Sequence, residues 1–149
     1  ASDVYKRQNL LCVRPYAQQI AQFYKGNLNV LEEVINILFY IAESDGKVTS
    51  DEKNMIEQIA YIFGLNEMQY NSIKESRKAS DKLNPYMVLE SKPGDDLQTI
   101  RKRYLRLSKE HHPDLLLSKG VPKEVIEESK KTMRAINSAW DQIQKLKKS

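Results

Sequence analysis

Leu97-Gln98-Thr99-Ile100-Arg101-Lys102-Arg103-Tyr104-Leu105-Arg106-Leu107-Ser108-Lys109-Glu110-His111-His112-Pro113-Asp114 is the stretch on which the fold turns. Its core-type positions, Leu97, Ile100, Tyr104, Leu107 and His111, follow one another at offsets of 3, 4, 3 and 4. That spacing keeps them on one side of a 3.6-residue helix, so the segment is amphipathic and faces a core. Asp95 or Asp96 supplies the cap at its start. Pro113 disfavours helical geometry at His112, which predicts the stop. Opposite the stripe lie Lys102, Arg106 and Lys109, with Arg101 at the edge. Such a face is a solvated surface, a docking surface for an acidic partner, or a phosphate contact. Few aromatic or amide base readers accompany the charges, so nucleic acid is not the expected partner.

Downstream, a loop through Gly120 leads to a long helix from about Pro122, a residue suited to a first turn. Ile126, Met133, Ile136, Asn137, Trp140 and Ile143 fall on one side of it. Two helices of matching length joined by a loop predict an antiparallel hairpin. Upstream, Pro93-Gly94 makes a turn, and Pro85 opens a short helical turn carrying Tyr86 and Leu89. The polar run from Ser80 to Asn84 is the expected domain boundary.

The first half also reads as helices. One is expected from about Leu10 to Tyr24, with Pro15 weakening its start, before Gly26-Asn27 breaks the chain. From Val30 to Ser44 apolar residues occur on nearly all sides, which predicts a central, buried helix ending at Asp45-Gly46. Thr49 followed by Glu52 is a capping box for a helix bearing Met55, Ile56, Ile59, Ala60 and Phe63 and stopping at Gly64. Asn66 and Gln69 open another helix, to about Lys78. The fold class is therefore all-α, with domains at 1–80 and 81–149.

Composition agrees: 149 residues, 40% hydrophobic and 30% charged, describe a globular chain. Cys12 is the only cysteine, so no internal disulfide can form. The longest apolar run, Ile37 to Ala42, is too short to span a bilayer, which needs about 20 residues. Lys6 and Arg7 precede no signal-peptide core, so a cytosolic setting is expected. Ser2 to Gln8 reads as non-native adapter sequence, on which reading the chain begins mid-gene. Residues 1–80 hold nine Lys/Arg and ten Asp/Glu, a net −1; residues 81–149 hold fifteen and ten, a net +5. An acidic partner is therefore expected on the second half.

Residues 84–145 resemble a J domain of the DnaJ family. The agreeing pieces are Pro85, Tyr86 and Leu89, then Ile100, Tyr104 and Leu107, then His112-Pro113-Asp114. Ile136-Asn137-Ser138-Ala139-Trp140 follows, within a core that also draws on Met133 and Ile143. Proline stiffens the triplet, His112 can donate or accept a hydrogen bond, and Asp114 offers a carboxylate to an arginine or an amide. The resemblance implies that this loop and the basic helix face, Arg101, Lys102, Arg106 and Lys109, engage a DnaK-type chaperone and trigger its ATP hydrolysis. Leu105 departs from the family, which usually has a basic residue after the second-helix tyrosine; by helix geometry it falls between stripe and basic face, partly exposed.

Residues 28–78 resemble the TerB-like helical domain, above all Ala42 to Glu52. The two together resemble the DjlA type of co-chaperone. That implies a cytoplasmic-facing protein, anchored through an N-terminal segment, that serves unfolded or specific clients. The first half would act in targeting or oligomerisation, a homodimer being one form. Two alternatives are a TerB-type stress-response scaffold with a divergent J domain and a small basic nucleic-acid binder. No enzyme is expected, because two histidines and no paired nucleophile make neither a hydrolytic nor a metal site. No cofactor is expected. Asp45, Gly46, Val48 and Glu52 match parts of a calcium loop, but its first position would be Ile41, which cannot coordinate.

Overall fold

The computed structural model describes residues 14–44 and 46–148. Every element among them is helical: α1 (residues 14–23), α2 (Leu28–Glu43), α3 (Ser50–Ile62), α4 (Glu67–Ser76), α5 (Pro85–Val88), α6 (Leu97–Glu110), α7 (Pro113–Ser118) and α8 (Lys123–Lys148). The expected start of α1 near Leu10 lies outside the described residues. The chain divides into two compact units, Ala1–Asn66 and Glu67–Ser149.

In the first unit α2 and α3 pack together. Val30, Leu31, Ile35 and Phe39 of α2 and Ile56, Ile59 and Ala60 of α3 are buried. The capping box is present: Thr49 Oγ1 accepts from the Glu52 N–H at 3.2 Å, and Glu52 Oε1 accepts from the Thr49 N–H at 3.3 Å. Gly64 at φ 88° ends α3 in the left-handed region, where the Leu65 N–H returns to the Ala60 carbonyl at 3.0 Å. Helix α2 is not buried along its whole length, because Tyr40 and Ile41 are 55% and 58% exposed. Most of its first half is enclosed, burying Asn29, Glu32 and Glu33 as well as Val30, Leu31 and Ile35, with Leu28 at the start exposed. Its second half is covered on one side only.

The second unit is built on α8. Leu83, Val88, Leu89, Ile100, Leu107, Ala135, Ile136, Ala139 and Ile143 form one cluster, with Tyr86, Tyr104, Met133 and Trp140 packed against it. Each fully buried leucine or isoleucine there contributes about 1.5–3 kcal/mol. Helices α6 and α8 run antiparallel. Tyr104 in mid-α6 meets Asn137 and Trp140 in mid-α8, while Lys147 at the end of α8 donates to the Pro93 carbonyl, ahead of α6.

This hairpin departs from the sequence expectation in two ways. Its helices do not match in length, having 14 and 26 residues, or about 21 and 39 Å. The connection expected to be loop contains α7, a six-residue helix that Pro113 opens at its first position.

Helix α4 belongs to this unit as well. Ser72 Oγ donates to the Val88 carbonyl at 2.6 Å, and Glu75 Oε1 accepts from the Asn84 N–H at 2.8 Å. Arg77 lies 3.5 Å from Glu128 of α8, whose side chain is 7% exposed. The polar run at Ser80–Asn84, where the sequence suggests a boundary, is held here too. Gln142 donates to the Ser80 carbonyl at 2.8 Å, and Leu83 is buried. By compactness the division falls after Asn66; α4 and the segment following it carry the difference.

Candidate functional site

The candidate surface starts where α6 is anchored. Asp96 caps the helix, accepting from the Thr99 N–H at 2.7 Å. Asp95 accepts from the Lys92 N–H at 3.0 Å and from Arg103 Nη1 at 2.6 Å. Hydrogen bonds hold both carboxyls below their usual range: for Asp95 first the Lys92 amide and then Arg103, for Asp96 the Thr99 hydroxyl and amide. These contacts fix the turn before α6 and the rotation of the helix about its axis. Ile100 and Leu107 therefore point into the core, while Arg101, Lys102, Leu105 and Lys109 are exposed.

Within that face the cations are not equivalent. Arg101, Lys102 and Lys109 form no ion pair among the described residues. Arg106 lies 3.4 Å from Glu90 and 3.4 Å from Glu110. Arg103 points to the flank, bonding Asp95 and the Ser91 hydroxyl. Leu105 stands among the cations and is 47% exposed.

The triplet follows where α6 ends. His111 is 3% exposed and faces the core. The chain then turns, and His112 points outward with its side chain 52% exposed. His112 caps α7: its Nδ1 accepts from the Asp114 N–H at 3.1 Å. With Nδ1 accepting, a neutral ring carries its proton on Nε2, which is then a hydrogen-bond donor. Asp114 Oδ2 lies 3.8 Å from His112 Nδ1, and the side chain is otherwise open to solvent, 89% exposed. Pro113 fixes the backbone between them, so a donor and a carboxylate are presented side by side with little entropy left to lose on binding. The two histidines point into different environments and do not converge. Among the described residues no three His, Cys, Asp or Glu side chains gather as a metal site.

Tyr104 and Trp140 brace the hairpin behind this surface. Their rings stack at 5.1 Å with 10° between planes, and the Tyr104 hydroxyl donates to Asn137 Oδ1 at 3.0 Å. Leu89, Ile100, Leu107, Ile136, Ala139 and Ile143 are buried below; Tyr86, Met133, Tyr104 and Trp140 are partly buried around them. The Arg103–Asp95 pair, the double partnering of Arg106 and the cap made by His112 do not emerge from the sequence reading. No spacing signals the first: Asp95 precedes the cap and Arg103 stands about two turns into the helix, so only the fold of the preceding turn brings them together.

An exposed His-Pro-Asp turn thus stands at the end of a basic helix within an antiparallel hairpin. Residues 8–75 match the family described as tellurite resistance protein TerB. Co-chaperone protein DjlA of Haemophilus influenzae is 38% identical over 161 residues, covering 95% of this chain and 55% of that protein. The DjlA of Mannheimia succiniciproducens is 33% identical over 162 residues with the same coverage. That of Escherichia coli K12 is 24% identical over 159 residues, covering 89% and 59%. The chain is a homologue of the DjlA co-chaperones. It spans about half the length of the DjlA relatives it matches, and the matched span includes both the TerB domain and the hairpin unit. No solved structure matches it significantly. No helix among the described residues is long and apolar enough to cross a membrane.

Proposed function

We propose that this chain is a J-domain co-chaperone that docks on a DnaK-type chaperone and stimulates its ATP hydrolysis. The single observation that carries the proposal is the His112-Pro113-Asp114 turn. Its histidine and aspartate are exposed, and it lies at the end of a helix whose outer face carries Arg101, Lys102 and Lys109. Unpaired exposed cations steer an acidic partner and raise its association rate, and the stiffened turn supplies the specific contact. Arg106 belongs to the same face. The chain acts on the partner's ATPase and performs no chemistry of its own. A cytosolic ATPase as partner puts the hairpin unit on the cytoplasmic side of any membrane to which a longer form of this protein is tethered. The TerB domain serves as the targeting or oligomerisation module that brings clients to the chaperone. In functional terms residues 81–149 are the J domain, with α4 as its support.

Single-turnover ATP hydrolysis by a purified DnaK-type chaperone tests the reading. The intact chain accelerates hydrolysis; His112→Gln removes the acceleration while helicity is retained. Because His112 caps only a six-residue helix, its loss costs about 0.5–1 kcal/mol in stability. Retained stimulation in a folded His112→Gln variant would falsify the proposal.

A further inference from the structure

Helix α5 ends in the geometry that glycine normally supplies. The Ser91 N–H donates to the Tyr86 carbonyl at 2.8 Å and the Glu90 N–H to the Met87 carbonyl at 3.2 Å. These are the paired bonds of a left-handed helix stop, in which the residue at Glu90's position must take positive φ. Glu90 does so at 53°, the only non-glycine residue at positive φ among those described. There a β-carbon crowds the following carbonyl, which glycine avoids and glutamate cannot. Strain of this kind persists where surrounding contacts hold it, and it directs attention to what the side chain does.

Glu90 is 9% exposed, and its carboxylate reaches across to α6, 3.4 Å from Arg106 Nη2. The other arm of the same guanidinium meets Glu110. Two carboxylates thus flank one cation, so the Arg106 charge is offset and adds less to the positive field than Arg101, Lys102 and Lys109 do. We propose that Glu90 sets the specificity of the docking face by withholding Arg106 from an acidic partner. The helix then docks through three free cations rather than four. This rests on the co-chaperone reading above and adds to it a residue outside both the triplet and the basic helix.

The test uses the full chain carrying Glu90→Gln or Glu90→Gly, titrated against a DnaK-type chaperone in single-turnover hydrolysis at roughly 20 and 300 mM salt. Leaving Arg106 with Glu110 alone, an exposed pair that an acidic partner can outcompete, lowers the half-saturating concentration about two- to fivefold at low salt, leaves the maximal rate unchanged, and loses the gain at high salt. Glu90→Gly also melts no lower than the parent, because strain is relieved as the ion pair is lost. Adding Arg106→Gln to Glu90→Gln cancels the gain. Unchanged half-saturation at both salts would make Glu90 merely structural. Weaker coupling would make the clamped arginine, or Glu90 itself, the contact. A gain that survives Arg106→Gln would reduce the effect to one removed negative charge. Each of these overturns the role of Glu90 while leaving His112 dependence intact. A parent chain that does not stimulate at all overturns the co-chaperone reading and this role with it.

Discussion

Helix α6 buries Ile100 and Leu107 and turns its cations to water, while α2 buries Asn29, Glu32, Glu33 and Asn36 beside Val30 and Ile35 yet leaves Tyr40 and Ile41 exposed. In the first, polarity sorts by face, and what points outward is a surface with a chemical character. In the second, polarity sorts along the axis, one half enclosed and the other not, so neither composition nor periodicity says which side chains meet solvent. Function is readable where a helix has one buried side. Where a helix is enclosed, the same side chains serve packing and internal hydrogen bonds, such as Asn36 to Glu33 at 3.3 Å.

The largest effect that can break this contrast comes from cutting the second unit at different points. A fragment starting at Glu67 keeps the contacts of Ser72, Glu75 and Arg77; one starting at Asp81 loses all three and leaves Glu128 buried without Arg77. The longer fragment is expected to be more stable by on the order of 3 kcal/mol, measured by urea unfolding. Equal stabilities would mean that α4 is not part of the sorted unit. Next, Ile136→Ala, at a fully buried site, should cost about 2–5 kcal/mol, whereas Ile41→Ala in the exposed half of α2 should stay within about 0.5 kcal/mol. A large loss at Ile41 would show that its face is covered in solution.

Helix caps carry smaller effects. Thr49→Ala should cost about 1 kcal/mol with no acid dependence from the removed hydroxyl. The lowered carboxyls of Asp95 and Asp96 act differently. A depressed folded-state value stabilises above the unfolded carboxylate range and is lost as pH falls through the folded value. Asp96→Ser keeps a cap that does not titrate, so its melting temperature should fall less than the parent's between about pH 5 and pH 2. Parallel acid limbs would remove Asp96 from the account. The smallest stability change belongs to Leu105→Lys: almost none, since the side chain is 47% exposed, with stronger coupling to a DnaK-type chaperone at low salt. A large drop in melting temperature would place Leu105 against other protein. Weaker coupling would make the leucine itself the contact.

The elements that the sequence discloses carry their own punctuation. The stripe from Ile100 to Leu107, the Thr49–Glu52 box, Asp96 and Pro85 each act through neighbours a few positions away, so local chemistry determines them. Helix α7 escapes because six residues make under two turns and show no period, and because its cap is a histidine rather than a usual capping residue. The membership of α4 escapes because it depends on partners such as Val88, 16 positions beyond Ser72. Of the candidate site, the outward turn and the exposed cations could be read in advance. The clamp on Arg106 could not, since the signature of a left-handed helix stop is glycine and Glu90 hides it.

The stacked pair at Tyr104 and Trp140 has an optical consequence. Trp140 is the chain's single tryptophan and lies wholly within the second unit, so indole emission excited near the red edge of tyrosine absorption reports that hairpin and nothing of the first unit. Far-ultraviolet circular dichroism sees every helix at once. Recorded on one denaturation, the two signals therefore form an internal clock: superimposed curves mean that both units melt as one, and separated curves date the loss of the hairpin against the loss of the rest.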